Sequence, residues 1–193
     1  MSEGMGIDFL RRMLSINGAF EFSSVGREDT RGKFARHFSS DMVETEMSFC
    51  VAQANVTRTT HKHTFRGMHF QIPPFAESKL VSCLSGVVID IIVDLRPDSP
   101  TYLQSESVIL SEERGNSIFV PIGVANGYLT LDRDALVHYY SSAKYSPTHE
   151  RGFRYDDSLV SIPLPSPPIL VSDKDRSWGD LNENELQIFR RQI

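Results

Sequence analysis

A histidine and a lysine on two neighbouring extended segments are the residues of this sequence best suited to chemistry. His69 lies in the run Arg66-Gly67-Met68-His69-Phe70-Gln71, and Lys79 opens the run Lys79-Leu80-Val81-Ser82-Cys83-Leu84. A histidine titrates near neutral pH and can accept a proton, whereas a lysine supplies fixed positive charge for a developing oxyanion. The pair indicates an enzyme that removes a proton from carbon, although a lone strand histidine is more often structural than catalytic.

The alternation of side chains along a strand predicts how this histidine is presented. His69 points to one face of the strand, while Met68 and Phe70 point to the other, so that a polar face is backed by an apolar one. Ideal alternation also turns Arg66 away from His69. A twist or bulge at Gly67 is therefore needed if both side chains are to face one ligand.

Length and charge restrict the class of protein. The 193 residues suit one domain with a sizeable core. A net charge of -5 and a pI near 5.7 argue against general nucleic-acid binding. No apolar run reaches the roughly 18 residues that a membrane span requires, and the first residues lack the pattern of a secretory signal. We therefore expect a cytoplasmic protein with no nucleic-acid partner and no membrane partner.

Short strand-like segments separated by turns predict an all-β domain. They occupy residues 49–56, 87–95, 105–110, 117–120, 127–131 and 135–141. The second of them is apolar on both faces apart from its aspartates, which indicates a strand buried on both sides. Recurring short strands of this kind are typical of a jelly roll or a related barrel.

Helical patterns are predicted at both ends of the chain. Residues 1–17 are interpreted as an N-terminal helical extension, because apolar residues at positions 9, 10, 13 and 14 have helical spacing before Asn17-Gly18. Residues 39–46 are predicted as a short helix. Residues 182–193 are predicted as a C-terminal helix. We expect these segments only to pack against the domain or a partner subunit.

A His-x-His pair at His61 and His63 raises the question of a metal site. Small β-barrels of the cupin type bind metal through such a pair, a glutamate a few residues on and a later histidine. Here no glutamate follows at that distance, and Asn126 occupies the position of the later histidine. Since a divalent site needs three or four ligands, we predict no metal site, and we expect no cofactor.

Several motifs occur in the order and approximate spacing of the dTDP-4-dehydrorhamnose 3,5-epimerase family, which the chain resembles from about residue 18 to residue 181. They are Arg66-Gly67-Met68-His69-Phe70-Gln71, Lys79-Leu80-Val81, Val93-Asp94-Leu95-Arg96 with Ser99-Pro100-Thr101, Val120-Pro121-Ile122-Gly123-Val124-Ala125, Tyr145-Ser146-Pro147 with Glu150, and Ser172-Asp173-Lys174-Asp175. The resemblance implies an all-β, cupin-like jelly-roll barrel with short flanking helices, spanning residues 1–193 as one domain. It also implies a homodimer that epimerises a nucleotide-diphosphate-linked 4-keto-6-deoxy sugar at C3, C5 or both.

The resemblance assigns catalytic roles to four residues. His69 would be the base, held in one tautomer by Asp175. Lys79 would stabilise the enolate oxygen at the 4-keto group. Tyr139 would donate the second proton from the far side of the sugar, since an unperturbed phenol with a pKa of about 10 is a competent acid toward an enolate carbon.

The resemblance also implies a set of substrate-binding residues. Arg31 from the neighbouring subunit and Arg66 would bind the diphosphate, and Tyr145 would stack on the nucleotide base. The remaining members of the set, around the nucleoside and the sugar, are Gln53, Asn55, Asn126 and Glu150.

Two positions depart from the family pattern. Asn126 stands where the family motif has a histidine, and Arg36 stands where the family usually has a glutamate near the nucleotide. Asparagine forms hydrogen bonds but exchanges no proton near pH 7. Our hypothesis is that the chain handles an altered sugar nucleotide or epimerises one carbon only.

Two other functions compete with the epimerase. One is an isomerase on the same fold that shifts the keto group of such a sugar. The other is a non-catalytic cupin-type binding module. The joint presence of His69, Lys79, Tyr139 and Asp175 argues against the module, because a scaffold needs no base, oxyanion partner and acid together.

Overall fold

The computed structural model describes residues 9–40 and 49–190. Its strands, in chain order, are β1 Phe9–Met13, β2 Phe20–Ser24, β3 Arg27–Asp29, β4 Gly32–Phe34, β5 Gln53–Thr59, β6 Thr64–Gln71, β7 Lys79–Ser85, β8 Val87–Asp94, β9 Ser105–Ser111, β10 Asn116–Val120, β11 Val124–Thr130, β12 Ala135–Ser141, β13 Glu150–Gly152 and β14 Leu170–Val171. The helices are α1 Asp173–Arg176, α2 Glu183–Leu186 and a 3-10 helix, Gln187–Phe189. No helix in these ranges is long and apolar enough to cross a membrane.

The strands form two sheets and one separate hairpin. The first sheet has the order β1-β2-β10-β7-β12-β5, and the second has the order β13-β6-β11-β8-β9, with β14 added in parallel to β6. The hairpin consists of β3 and β4. This architecture confirms the predicted all-β class, a cupin-like jelly roll with short flanking helices.

Three apolar layers hold the sheets in place. The middle layer lies between the sheets and includes Val81 of the first sheet and Ile92 of the second. An outer layer covers the second sheet, where Ile91 packs with C-terminal residues such as Phe189. The other outer layer covers the first sheet. Strand β8 contributes to two layers, which confirms that it is buried on both sides.

The predicted N-terminal helix is wrong where the structure describes it. Phe9–Met13 is an edge strand that pairs antiparallel with β2, and residues 1–8 lie outside the described ranges. The apolar spacing of so short a segment suits a helix or a strand, and pairing with β2 decides between them because it satisfies the backbone groups. Phe9 then packs edge-on against Phe22 with ring centroids 6.4 Å apart.

Two other predicted boundaries differ in the structure, and a third predicted segment lies mostly outside the described residues. The helix predicted at residues 39–46 falls mostly outside the described residues. The strand predicted at residues 49–56 begins instead at Gln53, because its partner β12 ends opposite that residue. The C-terminal helix is shorter than predicted, although its Leu186 and Phe189 are buried against the second sheet as expected of a packing element.

A buried ion pair braces the turn that follows β8. The Asp94 carboxylate accepts hydrogen bonds from Arg96 (2.8 Å), from the Ser99 hydroxyl (2.5 Å) and from the Thr101 hydroxyl (2.6 Å). Burial acts to raise the pKa of Asp94, but these hydrogen bonds hold the pKa below its ordinary value. The stabilisation is therefore present above the pKa of an unfolded aspartate and is lost as the pH falls through the lowered folded value.

Asp94→Ala is expected to lower the free energy of unfolding by about 3–5 kcal/mol, because it leaves the Arg96 charge buried without its partner. Urea denaturation followed by circular dichroism measures the loss. The neighbouring Asp98, half exposed and 3.7 Å from Arg190, provides the control. Asp98→Ala should cost at most about 1 kcal/mol. Equal losses in the two variants would contradict a structural role for the Asp94 network.

Candidate active site

A cavity of about 290 Å³ lies between the two sheets and collects most of the predicted site residues. The second sheet contributes β6 and β11 to its walls, and the first contributes β5, β7 and β12. The predicted residues that line it are Arg66, His69, Lys79, Asn126, Tyr139, Glu150 and Asp175. The fold therefore brings together residues separated by more than one hundred positions in the sequence.

An irregularity in β6 lets two polar side chains share this cavity. The ladder with β11 pairs Asn126 with His69 but Tyr128 with Arg66, so the register shifts between them. Gly67 lies in this interval with a φ of 139°, and a Cβ there would stand 2.5 Å from the backbone of β11. Only glycine fits such a conformation and such a contact. The bulge predicted at Gly67 is confirmed.

The histidine of this strand is hydrogen-bonded to a buried carboxylate. His69 Nε2 lies 2.7 Å from Asp175 Oδ1, and the Asp175 side chain is only 5% exposed. Burial acts to raise the pKa of Asp175, but the hydrogen bond from His69 and the electrostatic interaction with that residue keep the pKa below its usual value. A carboxylate only accepts, so Nε2 carries the proton and Nδ1 is the basic nitrogen.

Asp175 is itself placed by a short helix. Ser172 caps α1, and its hydroxyl accepts a hydrogen bond from the Asp175 backbone N–H at 3.1 Å. The backbone N–H of Gly67 lies 3.5 Å from the second carboxylate oxygen. The Ser172 cap therefore serves to aim a carboxylate at the histidine.

The facing wall of the cavity carries a phenol and an ammonium group. Tyr139 on β12 and Lys79 on β7 belong to the first sheet, opposite His69 on the second. Burial, and then the negative charge of Glu77, raise the pKa of Tyr139, which keeps the hydroxyl protonated. Lys79 Nζ lies 3.3 Å from Glu77 Oε1, and both side chains are mostly buried. An acid and a cation thus face a base across one cavity.

Glu150 organises the mouth of the site. Its carboxylate accepts hydrogen bonds from Lys174 Nζ at 2.6 Å and from the Tyr145 hydroxyl at 2.8 Å. Burial acts to raise the pKa of Glu150, but these two partners lower it below its usual value. Gln53 accepts a hydrogen bond from the Tyr145 backbone N–H at 2.9 Å. Gln53 and Tyr145 line a second cavity of about 100 Å³ that shares His69 with the first.

Two predicted binding residues line neither cavity. Arg31 lies at the turn between β3 and β4, where its side chain is 88% exposed and pairs with Asp29. Asn55 lies on β5 with its side-chain nitrogen buried and without a hydrogen-bond partner among the described residues. Within this chain, the structure does not bring either residue to the site.

Among the lining or supporting residues that were not predicted from the sequence, three have a carboxyl or amino group in the side chain. Lys174 lies inside the Ser172-Asp173-Lys174-Asp175 motif, which was interpreted only through Asp175. Glu77 precedes Lys79 by two residues, the spacing that places two strand side chains on one face. Asp90 is buried in the apolar strand β8. Because an aspartate is rarely buried, its presence in such a strand indicates a specific role.

The histidine pair is remote from this site. His61 and His63 line a separate surface depression with Arg133. Among residues 9–40 and 49–190, no group of three or more histidine, cysteine, aspartate or glutamate side chains is placed to hold a metal ion. The absence of a metal and of a cofactor remains a prediction.

Comparison with known proteins identifies similar chains. A family model described as dTDP-4-dehydrorhamnose 3,5-epimerase matches residues 13–183. A protein of that name from Sinorhizobium fredii is 38% identical over 157 residues, which are 80% of this chain and 80% of that protein.

Two solved structures resemble the whole architecture. The Legionella pneumophila dTDP-6-deoxy-D-glucose-3,5-epimerase, in complex with dTDP-4-keto-L-rhamnose, has a TM-score of 0.86 and 30% identity, and the match covers 92% of this chain and 96% of that chain. ChmJ, a 3'-monoepimerase from Streptomyces bikiniensis in complex with dTDP-quinovose, has a TM-score of 0.82 and 30% identity, with 91% and 90% covered.

Proposed function

Since the chain belongs to the dTDP-4-dehydrorhamnose 3,5-epimerase family, we propose that it is an isomerase that epimerises a nucleotide-diphosphate-linked 4-keto-6-deoxy sugar. The observation that carries the proposal is the arrangement of base and acid. His69 and Tyr139 stand on opposite sheets and line one cavity. Inversion requires that a proton leave from one face of a carbon and another arrive at the opposite face. A base and an acid on facing walls meet that requirement.

The proposed reaction removes a proton from one face of a carbon and then returns a proton to the opposite face. His69 Nδ1 takes a proton from a carbon beside the C4 ketone, and the electron pair of the C–H bond forms an enolate. Asp175 stabilises the resulting imidazolium, while the Lys79 ammonium stabilises the enolate oxygen. Tyr139 then gives its proton to the opposite face of the same carbon. The product is the epimer, and proton exchange with water returns both side chains to their starting states.

Substrate binding rests on the charges around the mouth of the cavity. Arg66 is exposed there and is held by a hydrogen bond from its Nε to the Thr59 hydroxyl at 3.0 Å. Its guanidinium suits a diphosphate, which accepts paired hydrogen bonds. Tyr145 is 52% exposed, so that one ring face can stack on a nucleotide base. Glu150 and Lys174 then border the nucleoside and the sugar.

Proton NMR in deuterated water tests the function. The purified protein is incubated with dTDP-4-keto-6-deoxyglucose, and the signals of the C3 and C5 protons are followed. We expect signal loss at one or both carbons, together with formation of an epimer. His61→Asn, which alters an exposed histidine outside both cavities, provides a matched control for His69→Asn. If neither the C3 proton nor the C5 proton exchanged, the result would contradict the proposal.

The same experiment separates the competing functions. A keto-sugar isomerase would move the ketone and change the carbon framework signals, whereas an epimerase leaves the ketone at C4. A binding module would bind the nucleotide sugar without exchange. Exchange at one carbon only would assign a monoepimerase, which Asn126 and the similarity to a 3'-monoepimerase favour as the second candidate.

We also propose a homodimer that completes the substrate site. The β3–β4 hairpin hydrogen-bonds to no other strand in the described part of the chain, and its Phe34 is 66% exposed. The edge strands of the first sheet also expose apolar side chains, namely Leu10, Met13 and Val56. A second copy that covers these surfaces would support the hairpin and bring Arg31 to the partner's cavity. A cytoplasmic location remains a prediction.

Mixing two impaired variants is expected to restore activity if Arg31 acts across the interface. Arg31→Ala should weaken substrate binding by about ten- to a hundred-fold through loss of a charge-assisted hydrogen bond, and His69→Asn removes the base. A mixed dimer has one site that retains both residues. Activity is measured at low substrate concentration after the subunits are exchanged, and light scattering gives the mass. No recovery in a proven mixed dimer would contradict the shared site.

A further inference from the structure

A buried carboxyl group beneath the cavity has no role in the proposed chemistry. Asp90 lies on β8, facing the middle apolar layer, and is fully buried. Burial raises its pKa well above the ordinary value, against the opposing effects of a hydrogen bond from Asn126 and the charge of Lys79. Its Oδ2 is buried without a hydrogen-bond partner among the described residues. The carboxyl is therefore held through its other oxygen, at the edge of the site.

The hydrogen bonds of Asn126 determine which way its amide faces. Its Nδ2 donates to Asp90 Oδ1 at 2.7 Å and to the Ile91 backbone carbonyl at 3.3 Å. A backbone carbonyl only accepts, so the amide nitrogen must lie on that side whether or not Asp90 carries a proton. Both amide hydrogens are used in these contacts. The amide oxygen is left without a hydrogen bond to any described residue, on a side chain that lines the cavity.

An unpaired acceptor on the wall of the cavity selects for a hydrogen-bond donor on the ligand. Asn126 pairs with His69 across the β6–β11 ladder, and Lys79 lines the same cavity. A ketone or enolate oxygen suits the Lys79 ammonium but is repelled by an amide oxygen, whereas a hydroxyl group can donate to it. In a 6-deoxy-4-keto sugar, C5 carries the ring oxygen and the methyl group. The hydroxyl group next to the ketone is therefore the one at C3.

We propose, on the basis of the proposed function, that Asn126 selects substrates with a free C3 hydroxyl beside the ketone and that Asp90 is the positioning residue that aims its amide oxygen. The preferred class is the 3-hydroxy-4-keto-6-deoxy sugars, and 3-deoxy analogues are disfavoured. A site that is built to bind a hydroxyl group rejects a ligand that lacks it, because its acceptor is then desolvated and unpaired.

The test compares dTDP-4-keto-6-deoxyglucose with its 3-deoxy analogue by deuterium exchange at the carbon that the wild type exchanges. We expect the wild type to prefer the hydroxylated sugar in kcat/KM by about ten- to a hundred-fold. Asn126→Ala should reduce the preference to within about three-fold, with the loss falling on the hydroxylated sugar. Asp90→Asn retains an acceptor oxygen toward Asn126 and should preserve the preference, whereas Asp90→Leu should remove it.

The outcomes separate this inference from the proposed function. No exchange with either sugar in the wild type would contradict the epimerase itself. Exchange with equal efficiency on both sugars, or a preference that survives Asn126→Ala, would overturn the inference while the epimerase stands. A purely structural role for Asp90 would slow both sugars equally and leave their ratio unchanged. If Asp90→Leu does not fold, Asn126→Ala and Asp90→Asn still test whether the preference for the hydroxylated sugar depends on Asn126.

Discussion

His69→Asn is expected to reduce epimerisation and deuterium exchange together by about a hundred- to ten-thousand-fold. The asparagine side chain still forms a hydrogen bond with Asp175 but cannot accept a proton near pH 7. Both observables depend on removal of the first proton, so they should fall in parallel. Initial rates by NMR in deuterated water measure the two quantities in one sample.

Asp175→Asn tests the orientation of the imidazole. Asparagine at this position cannot stabilise an imidazolium, so we expect a fall in kcat with the substrate KM nearly unchanged. The Ser172 cap accepts from the backbone N–H of residue 175 and should be retained, which keeps α1 in place. A variant with wild-type kcat would exclude the dyad as the catalytic base, and retained activity in His69→Asn would exclude His69.

Tyr139→Phe is expected to separate exchange from inversion. His69 can still remove a proton and return a deuteron to the same face, so exchange should continue. Inversion should fall by about a hundred- to ten-thousand-fold, because no acid remains on the facing sheet. NMR distinguishes the two outcomes, since the exchanged substrate and the epimer give different couplings. Equal losses of exchange and inversion would contradict the assignment of Tyr139 as the second acid.

The neighbouring tyrosine supplies the control for this variant. Tyr140 lies on the opposite face of β12, where its ring packs 4.8 Å from Phe38, and it lines neither cavity. Tyr140→Phe should leave both rates near those of the wild type. The raised pKa of Tyr139 also predicts that its acid form persists above an unperturbed phenol's pKa of about 10. The rate of inversion should therefore not fall through ionisation of this phenol at any pH below about 10.

The sequence predicted the parts of the site whose evidence is local. Alternation along β6 predicted that His69 faces away from Met68 and Phe70, and the structure confirms it, since His69 lines the cavity while the other two pack in the outer apolar layer. A twist or bulge at Gly67 was predicted because ideal alternation would otherwise turn Arg66 away from His69. Each of these inferences follows from side-chain period or from backbone conformation, which short stretches of sequence carry.

Motif resemblance predicted pairings that local patterns do not contain. Asp175 and His69 are 106 residues apart, and nothing in either segment alone places a carboxylate 2.7 Å from an imidazole. The site residues that were not predicted also depend on contacts between segments that are distant in the sequence. Lys174 reaches the cavity only because α1 packs beside β6, and its hydrogen bonds to Glu150 depend on that contact.

Only the tertiary structure determines the conformation of the N-terminal segment and the orientation of the Asn126 amide. The apolar spacing in residues 9–13 suits a helix, yet β2 offers a row of backbone partners that makes the segment a strand. The sequence by itself determined that an amide replaces an imidazole at position 126. Which end of that amide faces a substrate depends on Asp90 and the Ile91 carbonyl, which the fold brings beneath it. Residue type sets the available chemistry, and the neighbours supplied by distant strands determine its direction.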